Sequence, residues 1–342
     1  MKNLLTKIGG FTLCISLLFA SCETVDFGDE NVNPNSPTNK KTDAMITSAI
    51  TAIPGIVGLE PTIQMVKSSK KILIANKESI ICGWYLIKKT ALKYNTKIIP
   101  IDSEHFSILK LLENHSLKEI KKIYITASGG PFLNYKKNQL KNIKIKDALN
   151  HPKWKMGKKI TIDSSTLMNK ILELIEAQKI FNIPNKKLDI LIHPNSLVHA
   201  IIEMKNGLIK FLYHDTTMII PLANAIFDGK ININDFFKKK KKIKVIEDLY
   251  FKKVDSNIFP VIKFKDRLDE YPSTPIIINA ANEVLVDQFL KKKIPFLSIY
   301  KIIMNILNDR NYKKYAIKTP ININQILTID NWAKNTTKKY VK

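Results

Sequence analysis

Three acidic residues stand where their oxygens can converge on one cation. Asp102 and Glu104 directly follow a predicted strand over residues 98–101, and open α/β sheets bind ligands at the carboxyl ends of their strands. In an extended conformation these two side chains point the same way. Glu173 lies on a predicted helix further along, and three converging carboxylates suit Mg²⁺ or Mn²⁺. The structural alternative is that Asp102 caps a helix beginning at Ser103 and that Glu173 is a surface charge.

Two further segments offer polar groups to an anion such as a phosphate. Residues 126–132 follow a predicted strand, and their small residues, Ser128 among them, let backbone N–H groups approach an anion closely. Ser164 precedes the helix that carries Asn169 and Lys170, which brings hydroxyls, a helix N-terminus and a cation together. A tight turn and an ordinary helix cap would use the same residues, and these alternatives stay open.

The polar stretch from His151 to Gly157 combines a histidine with turn-forming residues, Trp154 and Met156. Such a stretch is typical of a loop that closes over a ligand and excludes water. An isolated loop anchored by its tryptophan would have the same composition. The sequence leaves this choice open.

Strands and helices alternate around these residues, which predicts α/β architecture with a parallel sheet covered on both faces. Beyond about residue 260 helical patterns dominate. The predicted strands cover residues 71–75, 96–101, 122–126 and 188–192, the predicted helices 78–94, 167–180, 276–290 and 296–307, and a predicted hairpin 196–213.

The formal net charge of +25 on 342 residues suggests a nucleic-acid partner at first sight. Of the 55 basic residues, however, only Arg267 and Arg310 are arginine, and base-reading sites depend on the planar guanidinium group. No nucleic-acid-binding motif accompanies the lysines. We therefore expect a solvated lysine-rich surface and no nucleic-acid partner.

The first 22 residues resemble a bacterial lipoprotein signal, with two lysines, a short apolar stretch and the sequence Ala20-Ser21-Cys22. Residues 23–51 are polar and predict a linker. Within it, Asn31 to Thr38 resembles the start of starch-utilisation-type outer-membrane lipoproteins. Outside this leader the chain has one cysteine, Cys82, at a position that predicts a buried, inert thiol.

Several motifs follow one another in an order and spacing that identify a family. They are Ala75-Asn76-Lys77-Glu78-Ser79, Asp102-Ser103-Glu104-His105, Ala127 to Phe132, His151 to Gly157, Asp163 to Glu176, His193-Pro194-Asn195-Ser196-Leu197-Val198-His199 and Asn279-Ala280-Ala281-Asn282-Glu283. On these motifs the chain resembles 1-deoxy-D-xylulose 5-phosphate reductoisomerase from about residue 52 to its end. Each motif alone is weak, whereas their joint order is highly specific.

The resemblance implies a role for each matching residue. It makes Asp102, Glu104 and Glu173 the ligands of Mg²⁺ or Mn²⁺ and adds Lys77 and His151 to the catalytic residues. The implied substrate-binding residues are Ser103, Ser128, Trp154, Ser164, Asn169, Lys170, Glu176 and His199. The implied residues around the cofactor NADPH are Asn76, Lys77, Glu78, Met156, Gly157 and Met218.

The implied reaction belongs to the non-mevalonate isoprenoid pathway. A metal-assisted rearrangement of the keto-sugar phosphate precedes hydride transfer from NADPH, and the product is 2-C-methyl-D-erythritol 4-phosphate. The resemblance also implies a homodimer and a cytoplasmic location, whereas the leader resembles an export signal. The implied domains are a truncated Rossmann-like dinucleotide-binding domain (52–101), an α/β catalytic domain (102–255) and a helical C-terminal domain (256–342).

One feature of the family has no counterpart in the chain. Family members carry a Gly-x-Thr-Gly-Ser-x-Gly loop for the NADPH phosphates, and here Gly9-Gly10 stands alone inside the leader. Two alternatives to an active reductoisomerase therefore stay open. One is an inactive fused remnant of the enzyme. The other is a surface glycan-binding lipoprotein, which predicts aromatic-rich helical repeats that the body of the chain does not have.

Overall fold

The computed structural model describes residues 13–15, 46–236 and 248–341. The first part of the described chain forms a parallel four-stranded sheet. Its strands lie in chain order, β1-β2-β3-β4. They are β1 (Leu13–Ile15), β2 (Ile46–Thr51), β3 (Ser69–Ile74) and β4 (Lys97–Pro100). The last three residues of β3 are fully buried, as expected of a parallel strand covered on both faces.

Three helices connect these strands and lead away from the sheet: α1 (Leu59–Ser68), α2 (Lys77–Tyr94) and α3 (Ser103–Leu112). The sequence marks both ends of α2. At its start, the Asn76 side chain accepts a hydrogen bond of 2.7 Å from the Ser79 backbone N–H. At its end, Asn95 adopts a left-handed conformation with φ of 52°.

A second, mixed sheet of five strands has the order β8-β7-β5-β6-β9. Its strands are β5 (Ile120–Ala127), β6 (Leu188–Ile192), β7 (Val198–Met204), β8 (Ile209–Tyr213) and β9 (Lys252–Lys253). The β5 and β6 strands are parallel, and the other neighbours are antiparallel. The register of the β7–β8 hairpin shifts between Val198 and Ala200, so His199 is the extra residue of a bulge.

Helices fill the space around this sheet and build the C-terminal region. Before residue 237 they are α4 (Ile145–Ala148), α5 (Lys158–Thr166), α6 (Met168–Phe181) and α7 (Ile219–Ile226). The C-terminal helices are α8 (Thr274–Leu290), α9 (Ser298–Leu307), α10 (Tyr312–Ala316) and α11 (Ile323–Val341). Short 3₁₀ helices cover Ile56–Gly58, Gly130–Phe132, Lys137–Asn142, Asn185–Lys187, Ile233–Phe236 and Pro260–Arg267.

One continuous core of buried apolar residues joins these parts. It runs from α1 and α2 through β5 and α6 into the C-terminal helices, where α8 is buried on nearly every face. The α/β fold with a helical C-terminal region is therefore confirmed. Among the described residues, no helix has both the length and the apolar character needed to cross a membrane.

The chain before residue 52 differs from the sequence-based expectation. Residues 46–51, predicted as the end of a linker, form β2 and pair in parallel with β3. Their β-branched residues suit a strand, and Thr51 is buried. Leu13–Ile15, inside the predicted signal segment, forms β1 and pairs with β2. The rest of that segment and residues 23–45 lie outside the described residues.

Gly58, at the start of α1, gives a prediction for stability. A Cβ atom at this position would lie 2.5 Å from the backbone oxygen of Ile53 and would also clash with Nδ2 of Asn76. Gly58→Ala should therefore lower the free energy of unfolding by about 1–3 kcal/mol through overpacking. Urea unfolding checks this value. Gly157→Ala is the matched control, because a Cβ there meets nothing within 4 Å. Equal stability of the two variants would contradict the close approach at Gly58.

Candidate active site

Asp102 and Glu104 lie at the N-terminus of α3, at the carboxyl edge of the first sheet. Asp102 is the N-cap, and its Oδ1 accepts a hydrogen bond of 3.1 Å from the Glu104 backbone N–H. Ser103 Oγ donates to Glu104 Oε2 at 2.5 Å. The expectation that residues 102 and 104 are extended was wrong, because β4 ends at Pro100 and Glu104 already lies in the first helical turn.

Glu173 reaches the same place from the middle of α6. Oxygen atoms of Asp102, Glu104 and Glu173 lie within 4.8 Å of one another. Glu173 is 1% exposed, so the alternative that it is a surface charge was wrong. His105 links the two helices, because its Nε2 lies 2.9 Å from the backbone oxygen of Glu173. The packing of α3 against α6 thus fixes the three carboxylates.

Two buried lysines compensate these acids. Lys170 Nζ donates to Glu104 Oε1 and, at 2.7 Å, to Glu173 Oε2. Lys77 Nζ lies 3.9 Å from Asp102 and 4.0 Å from Glu173, and it donates to Asn169 Oδ1 at 2.9 Å. Burial alone would lower the pKa of each lysine, but the surrounding carboxylates raise both. Both ammonium groups therefore stay charged at neutral pH.

The three-acid cluster is nevertheless short of positive charge. Burial works to raise the pKa of Glu104, but the ion pair with Lys170 outweighs it and lowers this pKa to about 2. Burial and then the neighbouring charge of Glu104 raise the pKa of Glu173 well above its usual value. A hard divalent cation among these oxygens would supply the missing charge. The donor set therefore fits Mg²⁺ or Mn²⁺.

Glu176 is also buried in α6, one turn beyond Glu173. Its Oε2 lies 3.7 Å from Lys77 Nζ and accepts no hydrogen bond from the described residues. Burial raises the pKa of this carboxyl, although the charge of Lys77 opposes the shift. Lys77 thus lies within 4.0 Å of three acids, Asp102, Glu173 and Glu176, which hold its ammonium group at the centre of the site.

Ser128 and His151, from separate predicted motifs, contact each other. His151 Nδ1 accepts from the backbone N–H groups of Lys153 (3.1 Å) and Trp154 (2.9 Å), so the ring proton is on Nε2. His151 Nε2 then donates to Ser128 Oγ at 3.2 Å, and the Gly130 N–H donates to the same oxygen at 3.1 Å. The Ser128 hydroxyl hydrogen is left to donate to a ligand. Burial, with a contribution from Lys170, lowers the pKa of His151 to about 4.

Close packing brings the two predicted phosphate segments together. A Cβ atom on Gly130 would lie 3.1 Å from the backbone oxygen of Ser164 in α5, and Gly130 has a positive φ of 59°. Only glycine allows this approach without strain. The loop after β5 and the end of α5 therefore form one wall beside Asn169 and Lys170.

The predicted closing loop lies at the edge of this site. The Trp154 ring is 6.4 Å, centroid to centroid, from the ring of His199. His199 stacks on His214 at 4.0 Å with 12° between the ring planes. Met156 is half-buried, and Gly157 is the N-cap of α5. The loop thus reaches from Ser128 to the β7–β8 hairpin.

The other residues predicted around the cofactor, Asn76, Glu78 and Met218, lie at the starts of α2 and α7. The Asn76 side chain caps α2 and donates to the backbone oxygen of Ile53. Glu78 Oε1 lies 3.3 Å from Lys159 Nζ, which also bonds Asp163 at 3.0 Å. Burial works to raise the pKa of Glu78, but Lys159 lowers it. Met218, 41% exposed, is the N-cap of α7.

Sequence reasoning missed two histidines at the site. His105 was part of a quoted motif but was given no role, although its spacing of three from Asp102 was a usable signal. His214 belongs to no motif, and its contact with His199 depends on the register of the β7–β8 hairpin. Asn282, on α8, donates to Asp163 at 2.7 Å and so connects the C-terminal helices to α5.

A parallel βα sheet beside a site of three carboxylates and two lysines defines a metal-dependent enzyme of the dinucleotide-using class. Family models for 1-deoxy-D-xylulose 5-phosphate reductoisomerase match residues 26–83, and models for its C-terminal domains match 98–181 and 215–336. The chain belongs to the 1-deoxy-D-xylulose 5-phosphate reductoisomerase family. Because the match begins at residue 26, the expected start near residue 52 was wrong, and these matches do not support the lipoprotein resemblance.

Individual relatives agree with this assignment. The chain is 45% identical over 335 residues to the reductoisomerase of Pelagibacter ubique, covering 97% of this chain and 84% of the relative. It is 40% identical over 303 residues to that of Clostridium kluyveri, covering 87% and 74%.

Solved structures give the same fold. A reductoisomerase in complex with NADPH, fosmidomycin and magnesium matches with a TM-score of 0.79 and 32% identity, covering 87% of this chain and 76% of that one. The enzyme from Zymomonas mobilis in complex with NADPH matches with a TM-score of 0.74 and 31% identity, covering 87% and 76%.

The raised pKa of Glu173 predicts that metal binding releases protons. A protonated carboxyl cannot coordinate Mn²⁺, so the affinity for Mn²⁺ should fall as the pH drops through the raised pKa of Glu173. Isothermal titration calorimetry in buffers of different ionisation enthalpy measures the released protons. Glu173→Gln should lose the strong binding, whereas the exposed control Glu60→Gln should keep it. A pH-independent affinity without proton release would contradict the prediction.

Proposed function

We propose that this chain catalyses the NADPH-dependent conversion of 1-deoxy-D-xylulose 5-phosphate to 2-C-methyl-D-erythritol 4-phosphate, with Mg²⁺ or Mn²⁺. The observation that carries the proposal is the cluster of Asp102, Glu104 and Glu173 with two buried lysines at its centre. When bound, the cation polarises the oxygens of the substrate, and NADPH supplies the hydride. Asp102, Glu104 and Glu173 would hold the cation.

The phosphate of the substrate would lie along the wall formed by the loop after β5 and α5. Ser128 has a hydroxyl hydrogen free to donate, and the Ser164 hydroxyl lies on the adjoining end of α5. Lys170, whose ammonium group donates to Glu104 and Glu173, would supply the positive charge beside this wall. Ser103 and Asn169 would also contact the substrate.

Lys77 acts as a fixed cation and hydrogen-bond donor, since the surrounding acids keep it protonated. Its position beside Asn169 lets it stabilise negative charge that develops on a substrate oxygen. Glu176 holds this ammonium in place at 3.7 Å. Trp154 and the loop around it would exclude water during the reaction.

NADPH would bind at the carboxyl ends of β2 and β3. There the backbone of Gly55 is open: its φ is 83°, and a Cβ would meet nothing within 4 Å. This edge of a parallel sheet is where doubly wound proteins bind dinucleotides. Lys77 at the start of α2 would then lie between cofactor and substrate, with Met156 and Met218 beside the nicotinamide.

The proposal predicts turnover by the full chain. NADPH oxidation with 1-deoxy-D-xylulose 5-phosphate and Mn²⁺ should be observed, and Glu173→Gln should reduce kcat/KM by at least about a thousandfold, because a metal ligand is worth several kcal/mol in the transition state. Glu60→Gln should retain activity. A folded chain that binds Mn²⁺ but does not oxidise NADPH would refute the proposed activity and favour the hypothesis of an inactive remnant.

We further infer a cytoplasmic homodimer. NADPH as the cofactor supports the location. For the assembly, the edge strand β8 exposes Ile209 and Phe211, preceded by exposed Leu208, and an exposed apolar sheet edge favours association.

Ile209→Lys should therefore weaken the dimer, because a charge would enter the apolar contact. Sedimentation velocity at several concentrations measures the change. Leu92→Lys, at a 76% exposed position of α2, is the matched control and should leave the assembly unchanged. A monomeric unmodified chain, or a dimer insensitive to Ile209→Lys, would contradict this interface.

A further inference from the structure

The stacked rings of His199 and His214 form a pair whose Nε2 atoms have no hydrogen-bond partner among the described residues. Both residues are buried, at 2% and 8% exposure. A buried polar atom without a partner is costly, and such atoms usually serve a bound ligand or an ordered water. We therefore expect the two Nε2 atoms to bind a ligand or an ordered water molecule.

The bulge in the β7–β8 hairpin creates this pair. His199 is the extra residue of the bulge, and the His214 backbone N–H donates to the Leu197 oxygen at 2.9 Å. This pairing places residue 214 directly beside residue 199, although fifteen positions separate them. A bulge redirects a side chain, and here it turns His199 towards Trp154 and the closing loop.

The hydrogen bonds of His214 fix which ring nitrogen carries the proton. Its Nδ1 lies 2.9 Å from the backbone oxygen of Asp215, which can only accept, so Nδ1 carries the proton. His214 Nε2 is therefore an acceptor. His199 bonds in turn to the backbone of His214, and since its Nε2 is unpartnered, that bond uses Nδ1. Both rings present acceptor nitrogens.

Both rings lie beside the site, because β7 and β8 pack against α3, whose first turn carries Glu104. Burial lowers the pKa of His199, and His214 and Lys170 lower it further. Burial also lowers the pKa of His214, although Asp215 and Glu104 oppose the shift. Both rings are therefore neutral at neutral pH.

We propose that His214, paired with His199, is a substrate-binding residue that accepts a hydrogen bond from a hydroxyl group of the sugar phosphate. A neutral acceptor does not suit a phosphate group, which with a second pKa of about 6 is mostly a dianion that offers acceptors only. The pair thus distinguishes hydroxyl-bearing from deoxygenated ligands. This inference rests on the proposed function, because it takes a sugar phosphate as the ligand.

Three substitutions separate the acceptor from the stacked ring. His214→Phe keeps an aromatic ring against His199 but removes the Nε2 acceptor. His214→Gln offers an amide oxygen at a similar distance from the backbone. His214→Ala removes both the ring and the acceptor. Thermal unfolding of each variant shows whether the hairpin keeps its structure. If His214→Ala fails to fold, His214→Gln and His214→Phe still test the inference.

The test measures steady-state kinetics with 1-deoxy-D-xylulose 5-phosphate, and inhibition by deoxygenated substrate analogues and by inorganic phosphate, all with Mn²⁺. We expect His214→Phe to raise KM for the substrate about tenfold, the value of one neutral hydrogen bond. His214→Gln should restore most of the affinity. Inorganic phosphate should inhibit all variants equally. The analogue that lacks the contacted hydroxyl should bind the wild type and His214→Phe equally.

Two results would overturn the inference. Unchanged KM in folded His214→Phe would mean that the ring only fills space. A loss of phosphate inhibition in that variant would mean that the pair binds the phosphate. If the wild type shows no turnover, the proposed function fails first. Calorimetric binding of the substrate to wild type and His214→Phe then decides the inference, and equal affinities, or no binding to either, overturn it.

Discussion

The structure depends on the mutual compensation of buried charges around Lys77 and Lys170. Glu104, Glu173 and Glu176 are buried beside the half-buried Asp102, and an isolated buried carboxylate is strongly disfavoured. The lysines allow most of this negative charge to remain. The lysines do not neutralise this negative charge fully. Burial and the remaining negative charge raise the pKa of Glu173. The folded site therefore keeps an excess of negative charge, which a bound divalent cation would neutralise.

Two helices, α3 and α6, hold the charged groups of the site in place. The N-terminus of α3 presents Asp102 and Glu104, and α6 presents the remaining acids together with Lys170. His105 joins the two helices through the Glu173 backbone oxygen, so neither helix can shift alone. Behind α6, the continuous apolar core extends into the C-terminal helices, and Asn282 on α8 holds Asp163 in α5. The C-terminal region thus supports the site without contributing any of the three carboxylates.

The sequence predicted correctly those helices and strands whose ends are determined by nearby residues. The helix predicted over 78–94 is observed as Lys77–Tyr94, because Asn76 caps one end and Asn95 turns out of the other. The strand over 188–192 was also correct. The strand Ile46–Thr51 was missed, since its two threonines and its serine resemble a linker and its stability comes from pairing with β3. The extended geometry expected at Glu104 failed because Pro100 ends the strand and Asp102 starts a helix at once.

The sequence predicted which residue types form the site, but it did not predict which nitrogen of each histidine ring carries the proton. Family motifs indicated Ser128, His151 and His199, yet the role of an imidazole depends on which nitrogen carries the hydrogen. For His151 two backbone N–H groups of the closing loop fix the proton on Nε2, which makes the ring a donor to Ser128. For His214 the Asp215 carbonyl fixes the proton on Nδ1, which makes Nε2 an acceptor. The backbone therefore assigns opposite roles to two neutral histidines. This divides the site into a region of donors suited to a phosphate and a region of acceptors suited to hydroxyl groups.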